Sequence, residues 1–136
     1  MAILTDENYV DKAERVIKGL SYKSNKNGEP IYYLTTSQIR NLLSLTSSLF
    51  DESNVKTFKE LSDKLAYLRV QFVYQSGRNS VRDKNQRKDY FPVKELVENA
   101  QILEILKEIK DIPSLQRFCR YMEALVAYFK FYGGRD

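Results

Sequence analysis

The sequence of 136 residues contains no histidine, and Cys119 is its only cysteine. The missing histidine excludes an imidazole general base and a histidine metal ligand. A single cysteine excludes a disulfide within the chain, a Cys–His nucleophile pair and a thiolate metal cluster. Cys119 lies in "LQRFCRYMEAL", a helical pattern in which a small buried thiol is the favoured interpretation. Most common routes to catalysis are therefore closed.

Long hydrophobic segments and phosphate-binding loops are missing as well. No apolar run approaches the roughly 20 residues that span a bilayer. The N-terminal stretch "MAILTDENYVDKAERV" lacks the pattern of a signal peptide. There is no Walker-type loop and no G-x-G-x-x-G motif, and the paired glycines of "FYGGRD" follow a helical pattern. These features predict a cytoplasmic protein with no membrane partner.

Carboxylate groups offer the remaining route to catalysis, since they can act without histidine. Asp51 and Glu52 form the nearest pair, at the predicted end of a helix, which favours ordinary solvated side chains. Glu104 and Glu108 stand one helical turn apart with lysines beside them, a pattern typical of a salt-bridged surface. We therefore predict no enzymatic activity, no metal site and no cofactor.

Apolar periodicity predicts five helices, at about residues 5–20, 35–50, 55–76, 92–110 and 113–132. Thr35 or Thr36 can cap the second helix, and Pro92 and Pro113 suit the first turns of the last two. A polar, turn-rich connector covers residues 21–30. The sequence shows no internal repeat and no domain-splitting linker. It therefore predicts one all-α domain over residues 1–136, a compact bundle of about five helices.

The second half of the third helix is apolar nearly all round. Lys64 and Arg69 flank its core stripe on opposite sides. Four large apolar residues fall outside that stripe: Tyr67, Val70, Val73 and Tyr74. This pattern predicts either central burial or a partner on the outer face. A strand is the alternative for "LAYLRVQFVY", because its residues alternate loosely.

Basic residues outnumber acidic ones by 22 to 18, which gives a net charge of +4. Residues 78–90 contain two acids against five basic side chains: Arg78, Arg82, Lys84, Arg87 and Lys88. This segment is either a solubilising loop or a surface for a polyanion. Arg40 interrupts the otherwise uncharged run "TTSQIRNLLSLTSSLF", so it either pairs inside the protein or points at a ligand.

Three stretches in order resemble a known family. They are "LTTSQIRNLLSL" at 34–45, "LRVQFVYQSGR" at 68–78 and "FCRYMEALVAYFKFYGG" at 118–134. Their pattern is a threonine pair followed by Ile-Arg, a long helix that closes on Gly-Arg, and an aromatic-rich last helix. The sequence is similar over most of its length to the small subunit of the type III-A CRISPR–Cas effector, the Csm complex.

The resemblance implies a non-catalytic helical subunit of a cytoplasmic ribonucleoprotein that serves antiviral defence. Several copies would stack head to tail beside the other subunits of the effector complex, along the duplex of guide RNA and target RNA. The family's RNA-facing basic positions correspond to Arg40, Arg69 and Arg78. Further RNA-binding candidates, proposed on charge and on proximity in the sequence, are Lys64, Arg82 and Lys84.

Two other functions are compatible with a small basic helical protein. The first is a DNA-binding regulator with a helix-turn-helix, although the connections between the second, third and fourth helices look longer than its usual turn. The second is a purely structural interaction module whose basic segment only solubilises the chain. The DNA-binding regulator would prefer palindromic duplex DNA, and in the interaction module the candidate arginines would be dispensable for RNA binding.

Overall fold

The computed structural model describes residues 2–24, 26–78 and 80–136. These residues form six helices and two short hairpins, so the prediction of a mainly helical protein is confirmed. In chain order the elements are α1 (Tyr9–Lys18), β1 (Tyr22–Ser24), β2 (Pro30–Tyr32), α2 (Thr36–Ser53), α3 (Phe58–Arg78), β3 (Val81–Asp83), β4 (Lys88–Tyr90), α4 (Pro92–Asn99), α5 (Ile102–Glu108) and α6 (Ile112–Phe131). Among the described residues no helix is long and apolar enough to cross a membrane.

Side-chain caps fix the starts of the two helices that organise the core. The Thr35 hydroxyl accepts a hydrogen bond from the backbone N–H of Gln38, and the Gln38 side chain accepts one from the Thr35 N–H at 2.9 Å. Asp111 and Ser114 make the equivalent pair of bonds at the start of α6. Such reciprocal caps satisfy amide groups that the helix leaves free. Of the two threonines proposed as the cap of the second helix, the structure selects Thr35.

The hydrophobic core lies around α6, which packs against α1 and α2, while α3 packs against α2, α4 and α5. Cys119 is buried on α6, as predicted, with its thiol 3.8 Å from the carbonyl oxygen of Thr46. Burial raises the pKa of this thiol to about 12. The Phe72 and Phe118 rings meet edge to face with centroids 6.3 Å apart, which connects α3 to α6.

The predicted fourth helix is wrong in one respect, because residues 92–110 form two helices. Gln101 has a φ of 56° and so leaves the helical conformation between α4 and α5. Its side-chain oxygen accepts a hydrogen bond from Lys12 Nζ at 2.6 Å, and the Tyr121 hydroxyl donates to the carbonyl oxygen of Ala100 at 3.0 Å. Contacts from α1 and α6 therefore stabilise the break between α4 and α5. It could not be predicted from the sequence, because the apolar periodicity continues on either side.

The two hairpins are further corrections to the expected loops. In the first, β1 and β2 pair antiparallel with Lys23 opposite Ile31. In the second, β3 and β4 pair antiparallel with Arg82 opposite Asp89. Each strand has three residues, which is too short to show a clear alternation of apolar and polar side chains. The strand alternative for the third helix is wrong, because that stretch is continuous α3.

Candidate nucleic-acid interface

The two hairpins are held together by three side chains, Tyr33, Asp83 and Tyr90, which we call the clasp. Tyr33 follows β2 and is only 7% exposed. Its hydroxyl donates a hydrogen bond to Asp83 Oδ2 at 2.5 Å, and its ring stacks on that of Tyr90 with centroids 4.1 Å apart. Asp83 ends β3 and Tyr90 ends β4. The clasp therefore joins residues fifty positions apart in the sequence.

The Asp83 carboxylate also shapes the turn of the second hairpin. It accepts hydrogen bonds from the backbone N–H groups of Asn85 at 2.9 Å and Gln86 at 3.1 Å. The hydrogen bond from Tyr33 is the main cause that lowers the pKa of Asp83, and the turn amides and the charge of Lys23 act in the same direction. Burial and the Asp83 carboxylate raise the pKa of Tyr33. Asp83 is thus an anion at neutral pH whose oxygens are directed at Tyr33 and at the turn.

The basic side chains of the second hairpin have different surroundings. Arg82 forms an ion pair with Asp89 across the strands, with 3.2 Å between Nη1 and Oδ1. The Lys88 ammonium lies 5.0 Å from the centroid of the Tyr90 ring. Within the described residues, Lys84 and Arg87 take part in no ion pair. The turn therefore presents two unpaired cations to solvent, and Arg82 is partly neutralised.

A shallow cavity lies where the two hairpins meet. The first hairpin contributes Lys23 and Ser24, and the second contributes Arg82 and Lys84. The full lining is Lys23, Ser24, Tyr33, Val81, Arg82, Asp83, Lys84 and Asn85. Two predicted site residues, Arg82 and Lys84, thus line the same cavity. Lys23 joins them although the sequence analysis did not single it out.

The predicted residues on α3 lie on different surfaces of the helix. Lys64 forms an ion pair with Glu52 and lines a groove between α2 and α3. Arg69 is exposed and lines a second groove, between α3 and α5. Their placement on opposite sides of the core stripe is confirmed. Arg78 ends the helix, with its guanidinium 6.0 Å from the centroid of the exposed Tyr74 ring.

Arg40 lies on α2 beside the C-terminal segment. Asp136 accepts hydrogen bonds from the Ser37 N–H at 2.9 Å and from its hydroxyl at 2.8 Å. These bonds, with a smaller contribution from the positive charge of Arg40, lower the pKa of Asp136. The Arg40 side chain is exposed and forms no ion pair with the described residues. Of the two alternatives stated for Arg40, internal pairing is therefore wrong.

The outer face of α3 carries an exposed apolar strip. It consists of Tyr67, Val70, Val73 and Tyr74, which are 63%, 58%, 54% and 64% exposed. We call these four residues the α3 strip. Central burial of this helix is therefore wrong, and the alternative of a partner on the outer face remains. Contiguous exposed apolar side chains are typical of protein–protein contact sites.

The acidic residues considered for catalysis have structural roles or none. Glu52 accepts hydrogen bonds from Lys56, at 2.8 Å, and from Lys64, and these bonds lower the pKa of Glu52. Asp51 is exposed at the end of α2. Within the described part of the chain, no group of three or more Asp, Glu or Cys side chains is placed to hold a metal ion.

Tyr33 and Lys23 are not among the residues predicted from the sequence, and little in the sequence distinguishes either of them. Tyr33 lies in "IYYLTT", where nothing distinguishes its role from that of Tyr32. Lys23 lies in a segment whose turn residues favour a connector. Only the pairing of the two hairpins shows that both residues adjoin the predicted basic segment.

Comparisons with known proteins are consistent over the whole chain. The family model "Csm2 Type III-A" matches residues 14–135. A protein of Streptococcus thermophilus named "CRISPR system Cms protein Csm2" is 64% identical over 100% of both chains. Proteins of the same name are 47% identical in Mycobacterium tuberculosis, over 100% of this chain and 99% of the other, and 33% identical in Enterococcus italicus, over 95% and 90%.

Proposed function

Since the chain belongs to the Csm2 family, the small subunit of type III-A CRISPR Csm complexes, we propose that it is a non-catalytic scaffold that holds RNA. In this proposal several copies stack head to tail along the duplex of guide RNA and target RNA. Base pairing between guide and target reads the sequence, so the protein needs to hold only the backbone and the shape of the duplex.

The observation that carries the proposal is the exposure of unpaired cations on two helices and on the second hairpin. Arg40 on α2, Arg69 and Arg78 on α3, and Lys84 on the second hairpin are all exposed and outside the ion pairs of the described residues. Arginine can hold a phosphate with two parallel hydrogen bonds. A cation without an acidic partner can bind a phosphate without first breaking an ion pair.

The other two predicted RNA-binding residues are expected to contribute less. Lys64 is paired with Glu52, and Arg82 is paired with Asp89. Exposed ion pairs are worth little in themselves, roughly 1 kcal/mol or less, so a phosphate can compete for these cations. The acidic partner would nevertheless stay close to the phosphate and repel it. The proposed order is therefore Arg40, Arg69, Arg78 and Lys84 ahead of Lys64 and Arg82.

The α3 strip supplies the proposed contact with a neighbouring subunit in the stack. Two tyrosines and two valines on one exposed helix face can bury apolar area without any change in the fold. Stacked copies would then bind one RNA through many weak contacts. Effective concentration makes the later contacts stronger than the first, so avidity would carry the affinity.

A DNA-binding regulator is the second candidate, and the expected long connection between the second and third helices is wrong. Only residues 54–57 separate α2 from α3, which is short enough for a helix-turn-helix. The connection between α3 and α4 instead contains the whole second hairpin. Family membership favours RNA, and a preference for palindromic duplex DNA over single-stranded RNA would favour the regulator.

A salt titration of single-stranded RNA binding tests the proposal. Wild-type protein is compared with Arg40→Ala, Arg69→Ala and Arg78→Ala, first as isolated chains and then in the reconstituted complex. Each lost phosphate contact should make the log–log salt slope shallower by about 0.7. Arg117→Ala is the matched control, because Arg117 is already paired with Asp6, with 2.7 Å between Nε and Oδ1.

The outcome separates the proposal from the interaction-module alternative. Shallower slopes in the three variants, with unchanged helicity and an unchanged slope for the Arg117→Ala control, would support phosphate contacts. Slopes identical to wild type in both settings would mean that the basic surface only solubilises the chain, and RNA holding would have to be abandoned.

A further inference from the structure

We propose that Lys23 on the first hairpin and Lys84 on the second form one phosphate-binding subsite, and that the clasp sets the distance between them. This inference rests on the proposed RNA-holding function and extends it to a residue outside the predicted set. The ligand is a backbone phosphate of RNA, recognised by charge and without regard to base sequence.

The placement of the two lysines supports the subsite. Lys23 and Lys84 line the same shallow cavity, although they come from separate hairpins. Both side chains are exposed, and neither belongs to an ion pair among the described residues. Two unpaired ammonium groups at one concave surface suit a single phosphate better than either suits it alone. Lysine binds phosphate as a point charge and tolerates small changes in geometry.

Asp83 is the one acidic residue that lines this cavity, and its carboxylate has a structural role. Asp83 accepts hydrogen bonds from the Tyr33 hydroxyl and from two amides of the turn. Arg82, the third basic residue that lines the cavity, is paired with Asp89. These three hydrogen bonds partly offset the Asp83 charge, so its repulsion of a phosphate at the two lysines is weaker than that of a carboxylate without such bonds. Since Lys23 also contributes to the lowered pKa of Asp83, its charge lies close to the clasp.

The clasp is needed because neither hairpin is stable by itself. A two-stranded hairpin with three residues per strand is marginal in water at best. Tyr33 is buried between them, and its ring stacking on Tyr90 and its bond to Asp83 fix one hairpin against the other. Tyr33 is thus a positioning residue, which acts on the phosphate only through the spacing of the lysines.

Binding of a labelled single-stranded polyuridine RNA by the full chain tests the subsite. Lys23→Ala and Lys84→Ala should each weaken binding about threefold to tenfold at low salt and make the salt slope shallower by about 0.7. Lys23→Arg keeps the charge and should restore most of the affinity. Lys59→Ala is the control, because Lys59 lies at the start of α3 while the second hairpin follows its end.

A double-mutant cycle tests the positioning role of Tyr33. If both lysines hold one phosphate, the affinity losses should not multiply. The fold-loss in RNA affinity of the Lys23→Ala/Lys84→Ala double variant should be smaller than the product of the two single fold-losses, by a factor of about two or more. Tyr33→Phe removes only the hydroxyl. In this background the fold-loss of the double variant should equal the product of the two single fold-losses, because the lysines would no longer be held at one phosphate. Tyr9→Phe, at the far end of α1 from β1, is the control. Circular dichroism and a thermal melt show whether Tyr33→Phe is folded.

Each outcome has a separate meaning for the two proposals. If Lys23→Ala matches Lys59→Ala while Arg78→Ala still weakens binding, the subsite is wrong and RNA holding stands. If Arg40→Ala, Arg69→Ala and Arg78→Ala are also silent, both proposals fail. Multiplicative losses in the wild-type background would show that the lysines act separately, which overturns the shared subsite. Should Tyr33→Phe fail to fold, the charge series at Lys23 and the wild-type cycle still decide between these outcomes.

Discussion

The helices α6 and α3 have similar lengths, 20 and 21 residues, and very different surroundings. Seven residues of α6 are buried: Leu115, Phe118, Cys119, Tyr121, Met122, Leu125 and Phe129. Only Leu61, Leu68, Phe72 and Ser76 are buried on α3, and the α3 strip faces solvent. The difference shows that apolar content alone does not distinguish a core helix from one that leaves an apolar face exposed.

The packing of the bundle explains the difference. α6 packs against both α1 and α2, so its large side chains have neighbours inside the chain. α3 packs on α2, α4 and α5, which cover its core stripe and leave its outer face open. Substitutions on α6 should therefore change the free energy of unfolding, whereas substitutions in the α3 strip should change assembly.

Truncation at the centre of α6 should have the largest effect. Phe118 is fully buried and meets Phe72 of α3 edge to face. Phe118→Ala should lower the free energy of unfolding by about 3–5 kcal/mol, because the cavity removes contacts on both helices. Urea denaturation followed by circular dichroism measures the change. A loss below about 1 kcal/mol would mean that the α6 interior is far looser than its burial indicates.

Glycines at the ends of the two helices should respond to alanine in opposite directions. A Cβ at Gly134 would overlap the Phe129 ring, so Gly134→Ala should destabilise the protein by about 1–3 kcal/mol. Gly77 lies in the last turn of α3 with open space around it, and Gly77→Ala should stabilise by up to about 1 kcal/mol. Thermal melts of both variants test the pair, and equal effects of one sign would contradict the comparison.

Loss of one tyrosine hydroxyl should lower the free energy of unfolding on α6 and leave it unchanged on α3. Tyr121 is fully buried and donates to the carbonyl oxygen of Ala100 at the break between α4 and α5. Tyr121→Phe leaves that carbonyl without its partner and should cost about 1–2 kcal/mol. Tyr74→Phe on the exposed strip is the matched control and should be neutral within about 0.5 kcal/mol. Equal stabilities of the two variants would show that the Tyr121 bond contributes nothing.

The smallest effect on stability is expected in the α3 strip. Val70→Ser and Val73→Ser should each change the free energy of unfolding by less than about 0.5 kcal/mol, because both side chains are exposed. The double variant should nevertheless fail to join the reconstituted complex, since it removes the apolar centre of the proposed contact. Size-exclusion chromatography of the assembled complex measures this. Normal incorporation would remove the α3 strip from the proposed interface.

The long helices could be predicted from their periodic apolar patterns. The break between α4 and α5 could not, because it depends on contacts between residues far apart in the sequence. The core stripe of α3, the burial of Cys119 and the cap at Thr35 follow from local spacing, and all are confirmed. The break at Gln101 depends on Lys12 and Tyr121, which lie far away in the sequence. Local patterns carry no information about such contacts.

The candidate site divides in the same way. All six predicted basic residues are exposed, as their types suggest: Arg40, Lys64, Arg69, Arg78, Arg82 and Lys84. Which of them are neutralised by Glu52 or Asp89 could not be predicted, because ion pairs depend on how the helices and strands meet. The clasp, which places Lys23 beside Lys84, is a contact of the same kind. RNA contact itself remains a prediction for every one of these residues.

The α3 strip is also a suitable place for a fluorescent probe, because the sequence contains no tryptophan. Tyr74 is 64% exposed, so Tyr74→Trp would introduce one indole at the surface with no other indole emission to obscure it. Tryptophan retains the aromatic surface of tyrosine and adds an N–H donor, so it suits the same interface. Its emission would shift to shorter wavelength when a neighbour excludes water from the strip. One fluorescence titration could then follow subunit stacking separately from RNA binding.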